Sequence, residues 1–138
     1  MDQRIVEALI NVPDKSGVRR MGREAGIGPN GFTFSPLLAG RGAVDDTPEW
    51  ETMRDTREQI AASIAFLNLL PRIKTPTRSS YALKHRAETW AEFYISNGAL
   101  LLGAHLAGVK YARESQSPNG ILAIAHPKKW PEEVQSRD

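Results

Sequence analysis

The chain has 138 residues, 41% of them hydrophobic, with 18 basic and 16 acidic side chains and a formal net charge of +2. That length fits one domain, and that apolar content supplies a core, which excludes wholesale disorder. The absence of cysteine excludes disulfides, thiolate zinc sites and cysteine nucleophiles.

Residues 3–10 are predicted to form a short helix with Ile5, Val6, Leu9 and Ile10 apolar, ended by Pro13. No basic segment there leads into a long apolar run, so no signal peptide is expected and a cytoplasmic protein is. Residues 13–46 are dense in glycine and proline, a spacing expected to forbid long regular elements. Phe32 and Phe34 alternate with Thr33 and Ser35, which permits one short strand. Residues 1–46 therefore read as an arm or irregular cover, and a chain starting near Asp45 is expected to fold without it. The string MGREAGIGPNGF from Met21 matches the turn of helix-turn-helix units, yet Pro29 and Gly31 fall where a recognition helix would run. Gly26 is read instead as a helix C-cap. Gly26-x-Gly28-x-x-Gly31 matches the dinucleotide fingerprint by letter, but no strand precedes it and Pro29 follows the second glycine. Pro-Asn-Gly occurs twice, at Pro29 and at Pro118.

The next helix should open with Thr47 as N-cap and Pro48 in its first position, and run to Leu69 or Leu70, about 22 residues or roughly 33 Å. Trp50, Met53, Arg57, Ile60, Ile64 and Leu67 trace one face, which only Arg57 interrupts. Pro71 stops it. Ser79 and Ser80 can each cap a following helix whose apolar face is Leu83, Ala87, Trp90, Ala91 and Tyr94. Tyr81, Lys84, His85, Glu88 and Glu92 fall on its opposite side. Ser96 or Asn97 should begin a central helix that is apolar all round except at His105, too short for a membrane span of about 20 apolar residues. Ala99, Gly103 and Ala107 form a small-residue stripe for close helix contact, and Gly108 can close the helix in the left-handed conformation. After a polar turn at 115–120, residues 120–125 are a short buried strand or a core-filling segment. Residues 127–131 form a loop, and a polar, frayed tail follows.

The expected fold is mainly α: a small helical bundle around a central apolar helix, with room for one short β pair. Its parts are the 1–46 arm or cover, a helical core at 47–126, and the tail at 127–138.

No catalytic motif is complete. Ser79, Ser80 and Ser96 are better explained as caps than as nucleophiles. His85, Glu88 and Glu92 resemble half of a metal site, but matching ligands on other helices are lacking, so a solvated charged face is preferred. His105 reads as a hydrogen-bonded core histidine. No cofactor, metal or catalytic residue is assigned.

Positive charge is concentrated at residues 71–113, with seven basic and two acidic side chains. No acidic residue falls between Pro71 and Ala87. Arg72, Lys74, Arg78, Lys84 and Arg86, with Ser79, Tyr81 and His85 among them, are the residue types that contact phosphates. The competing explanation is a basic loop that neutralises the acidic 49–58 stretch or the helix ends. Prolines 71 and 76 are expected to hold the segment out from the bundle.

Ser80-Tyr81-x-Leu83-Lys84-His85-x-x-Glu88, Tyr94-x-Ser96-Asn97-Gly98-Ala99 and Pro118-Asn119 carry a resemblance over residues 73–125. In these motifs the chain resembles small proteins of phages, plasmids and other bacterial mobile elements whose activity is not known. The resemblance implies a mobile-element context and no catalytic residues. The expected function is a non-enzymatic accessory protein that binds nucleic acid, DNA or RNA, through the basic segment, with no membrane partner. The alternative is a small inhibitor or modulator of a host protein complex that blocks a nucleic-acid groove.

Overall fold

The computed structural model describes residues 1–33, 50 and 53–135. Helix α1, Gln3–Ala8, begins where the Asp2 carboxylate accepts from the Arg4 amide, and runs on into a 3-10 turn at Leu9–Asn11. Helix α2, Lys15–Ala25, is capped by Asp14 and closed by Gly26 in the left-handed conformation. It occupies the stretch expected to lack long regular elements. The reason lies in Gly22, which works as a contact surface rather than a breaker: it is buried against Trp50, whose indole Nε1 donates to the Ile27 carbonyl at 3.1 Å. Strands β1, Ile27–Gly28, and β2, Gly31–Phe32, then form a minimal hairpin. Phe34 and the expected helix start at Thr47 and Pro48 lie outside the described residues.

Helix α3 runs Thr56–Asn68, so its first turn comes later than the capping signals at 47 and 48 suggested. The Thr56 hydroxyl turns back to the carbonyls of Met53 and Trp50, and Asp55 takes a left-handed conformation at the cap. The apparent flaw in the α3 stripe is a tie. Arg57 donates from Nε to the Pro13 carbonyl and from Nη2 to those of Leu9 and Val12, all at 3.0 Å. It thereby gives the Val12 and Pro13 carbonyls a donor at the end of the first helical segment, and adds a second donor to the Leu9 carbonyl, which already accepts from the Val12 amide.

Strand β3, Arg78–Ser79, leads into α4, Ser80–Ala91, with Ser79 as N-cap. Helix α5, Asn97–Ala107, is capped by Ser96 and closed by Gly108. Residues 97–104 are all buried, which places the central helix where the sequence put it. It packs on α3 at Gly103, where an added Cβ would come within 2.5 Å of the Ser63 Cβ. His105 departs from expectation: it stands exposed in the last turn, with Nδ1 2.9 Å from the Tyr111 hydroxyl.

The expected mainly α bundle with one short β pair is corrected by the sheets. Among the described residues there are five α-helices and two small antiparallel sheets, the β1–β2 hairpin and a three-stranded sheet in the order β3-β5-β4. Strands β4, Tyr111–Arg113, and β5, Gly120–Leu122, flank the polar turn. Leu122, Ala123, Ile124 and Ala125 are buried, so their backbone groups need partners inside the protein. The Ile73 amide donates to Ala123, the Thr77 amide to Leu122, and the Ala125 amide to Pro71. Residues 71–77, bent at 74–75, are thus tied by their backbone to residues 122–125 rather than held out from the bundle.

One core holds these layers together. Ile5, Val12, Val18 and Ile27 from the N-terminal stretch join Ile60, Phe66, Leu83, Leu100 and Leu122 in it. The loop after β5 joins as well: Trp130 is buried with its Nε1 donating to the Ala125 carbonyl at 2.8 Å, Val134 is buried, and Arg4 bridges to Glu133 at 3.1 Å. Through residue 135 the expected frayed tail is therefore docked. Among the described residues no helix is long and apolar enough to cross a membrane.

Candidate nucleic-acid interface

The basic stretch does not act as one surface. Arg72 donates to the Asn68 side-chain oxygen at 3.0 Å and to the Ala107 carbonyl at 3.5 Å. Those are the last residues of α3 and α5, so its charge sits at the negative ends of both long helices. Arg86 lies over the Trp130 ring at 5.5 Å, and Ser79 is committed to its cap. Of these three, Arg72 alone fits the helix-neutralising explanation.

Lys84 is the clearest correction. Expected on the exposed face of α4, it is buried. Its Nζ donates to the Glu88 carboxylate at 2.8 Å and to the Ile95 carbonyl at 3.3 Å. The Tyr81 and Tyr94 rings lie 5.5 and 5.0 Å from the same ammonium. Glu88 accepts in addition from the Ile95 amide and pairs with His85 Nδ1 at 3.2 Å. Burial works to raise the Glu88 carboxyl, but the hydrogen bonds from Lys84 and Ile95, with the Lys84 charge, outweigh it and hold the group below its usual value. His85 thus sits beside the Lys84–Glu88 ion pair, on the exposed side of α4.

Such a depressed carboxyl contributes stability above the ordinary glutamate value of 4.5, and that contribution is lost as pH falls through the lower folded value. Glu88→Gln leaves a buried cation short of its counter-charge and is expected to cost about 3 kcal/mol at pH 7. Denaturant melts across pH should show the gap between wild type and variant closing in acid. A gap that stays constant to low pH would mean that packing, not charge, holds the site.

What stays outward-facing is Lys74, Tyr81 at 51% exposure, Tyr94 at 61%, and His85, whose ring meets the Tyr81 ring edge-on at 4.5 Å. Arg78 is half-buried, and its Nε is the one buried side-chain nitrogen or oxygen among the described residues with no hydrogen-bond partner. Sequence reasoning missed Tyr94, placing it on the apolar face of α4. The helix ends at Ala91 because Glu92 turns left-handed at φ 65°, which takes Tyr94 out of helical phase. Glutamate gives no signal for such a cap.

Behind this surface lies a polar junction that the sequence hinted at only through its repeated Pro-Asn-Gly. The Asn97 amide nitrogen reaches the Asn30 carbonyl, the Pro118 carbonyl and the Asn119 side-chain oxygen at 3.0–3.3 Å. Its oxygen accepts from Ser80 Oγ at 2.8 Å, and Ser80 Oγ accepts from the Gly120 amide. Both Pro-Asn-Gly turns therefore meet the start of the central helix. Every group in this junction has a partner within the protein, which marks it as structural.

No protein-family model, curated protein or solved structure matches the chain.

Proposed function

We propose that the chain is a non-enzymatic, cytoplasmic accessory protein of a mobile genetic element that binds nucleic acid through Lys74, Arg78, Tyr81 and His85. The observation that carries this reading is Arg78. Its Nε is buried beyond the reach of a ligand, but the side chain as a whole is only half-buried, and a guanidinium is a preferred partner of phosphate oxygens. It lies in the strand between exposed Lys74 and exposed Tyr81.

The test is the salt dependence of binding. Lys74→Gln with Arg78→Gln should lower the slope of log affinity against log salt by about two. Adding Arg72→Gln should lower the melting temperature and add little to the slope, because Arg72 serves the helix ends. A wild-type protein that binds neither DNA nor RNA at low salt removes this reading.

A second reading, a modulator of a host protein complex, is favoured by one observation. Arg72, Lys84 and Arg86 are engaged with this chain, while two tyrosines stay exposed, and exposed tyrosine is a common anchor in protein interfaces. Capture of a defined complex from nuclease-treated lysate, lost on Tyr81→Ala, would support it.

A further inference from the structure

We infer that this surface takes single-stranded rather than duplex nucleic acid, with Tyr81 and Tyr94 as stacking platforms for unpaired bases. The inference rests on the nucleic-acid reading above and names the ligand class of the same site.

A helix that enters the major groove needs cations on its outward face to meet the flanking phosphates. The exposed positions along α4 and at its end are Tyr81, Ala82, His85, Thr89 and Glu92. None is lysine or arginine, and the last is acidic. The cations that α4 does carry are turned away, Lys84 into its ion pair and Arg86 onto Trp130. Laid in a groove, this helix would bring a carboxylate and two aromatic rings against the duplex.

The same features suit an unpaired strand. Single-strand sites combine exposed aromatic rings with a cationic track for the backbone. Here both tyrosine rings flank one buried ammonium, so they stand no farther apart than those two ring-to-nitrogen distances laid end to end. Each ring is held from one side by Lys84, and Tyr81 also by the His85 edge, so little freedom remains to be lost on stacking. Lys84 fixes the platforms while Glu88 neutralises it. The cationic track is supplied by Arg78 and Lys74, which precede Tyr81 in the chain. Beyond Tyr94 a cleft of about 540 Å³ opens, but Asp55 and Glu58 line it beside Arg54, so these side chains offer phosphate no net positive charge. The strand path therefore runs from Tyr94 past Tyr81 to Arg78.

The test compares a labelled oligothymidine with a hairpin duplex in fluorescence anisotropy at low salt. Tighter binding of the single strand is expected. Tyr81→Leu and Tyr94→Leu should each weaken it about five- to hundredfold with the salt slope unchanged. Tyr81→Phe should restore most of the affinity lost in Tyr81→Leu, which separates stacking from a folding defect. Equal binding of strand and duplex, indifferent to both leucine variants, overturns the single-strand inference and leaves the nucleic-acid reading standing. Binding of neither nucleic acid overturns both.

Discussion

Gly98→Ala should leave the protein barely folded. An added Cβ at this position runs into the Gly28 carbonyl and lies 2.8 Å from the Pro29 carbonyl carbon. These are backbone atoms of the β1–β2 hairpin turn, so no rotamer change can make room. The clash also pushes apart the bond from the Gly98 amide to the Pro29 carbonyl, 3.0 Å long, and strains the Asn97 contacts one residue away. Overpacking alone costs about 1–3 kcal/mol, and a lost buried hydrogen bond raises the total to about 4 kcal/mol or more. For a chain of this size the melting temperature should fall by on the order of 10 °C or more. Circular dichroism melts measure it directly. A variant that melts with the wild type would show that the hairpin does not seat on α5.

Removal of residues 1–44 should be more damaging still. Ile5, Val12, Val18 and Ile27 are each at most 4% exposed, and full burial of such side chains contributes about 1.5–3 kcal/mol apiece. Together that rivals the whole net stability of a domain, about 5–15 kcal/mol. The truncated chain also strands Arg57, whose three carbonyl acceptors belong to Leu9, Val12 and Pro13, and removes the Pro29 partner of Gly98. An insoluble product, or one without a cooperative transition, is the expected outcome. A sharp melt near the wild-type temperature would restore residues 1–44 to the status of a detachable arm.

How far the sequence spoke depended on whether its signals were local. The central helix was readable because cap, apolar run and terminal glycine all lie within thirteen residues, from Ser96 to Gly108. Gly26 as a C-cap was readable for the same reason. The three-stranded sheet was not, because β3 and β5 are two and three residues long and are defined by pairing across more than forty positions, as Arg78 with Leu122. Helix α2 was hidden because Gly17 and Gly22 carry a breaker's propensity, while the tertiary contact with Trp50 that needs Gly22 is invisible locally. At the candidate site the residue types were readable and their partners were not. Lys84 is a surface lysine by type, and only the fold delivers the Ile95 carbonyl and the Tyr94 ring to it. Arg57 makes the same point: a break in the apolar stripe became a tie between two helical segments.

The position of β5 in the middle of its sheet has a consequence for synthesis. Both of its neighbours come earlier in the chain, so β3 and β4 leave the ribosome with no partner between them. Until residue 122 has emerged, two strand edges and the side of α4 that packs on β5 lack the element that covers them, and Ser80 lacks the Gly120 amide that its hydroxyl accepts from. A nascent chain in that state offers unpaired backbone to any neighbour, the usual route to misassembly on crowded polysomes. Brief strands, broken by Pro76 before β3 and by the polar turn after β4, keep that interval short and its exposed edges poor templates.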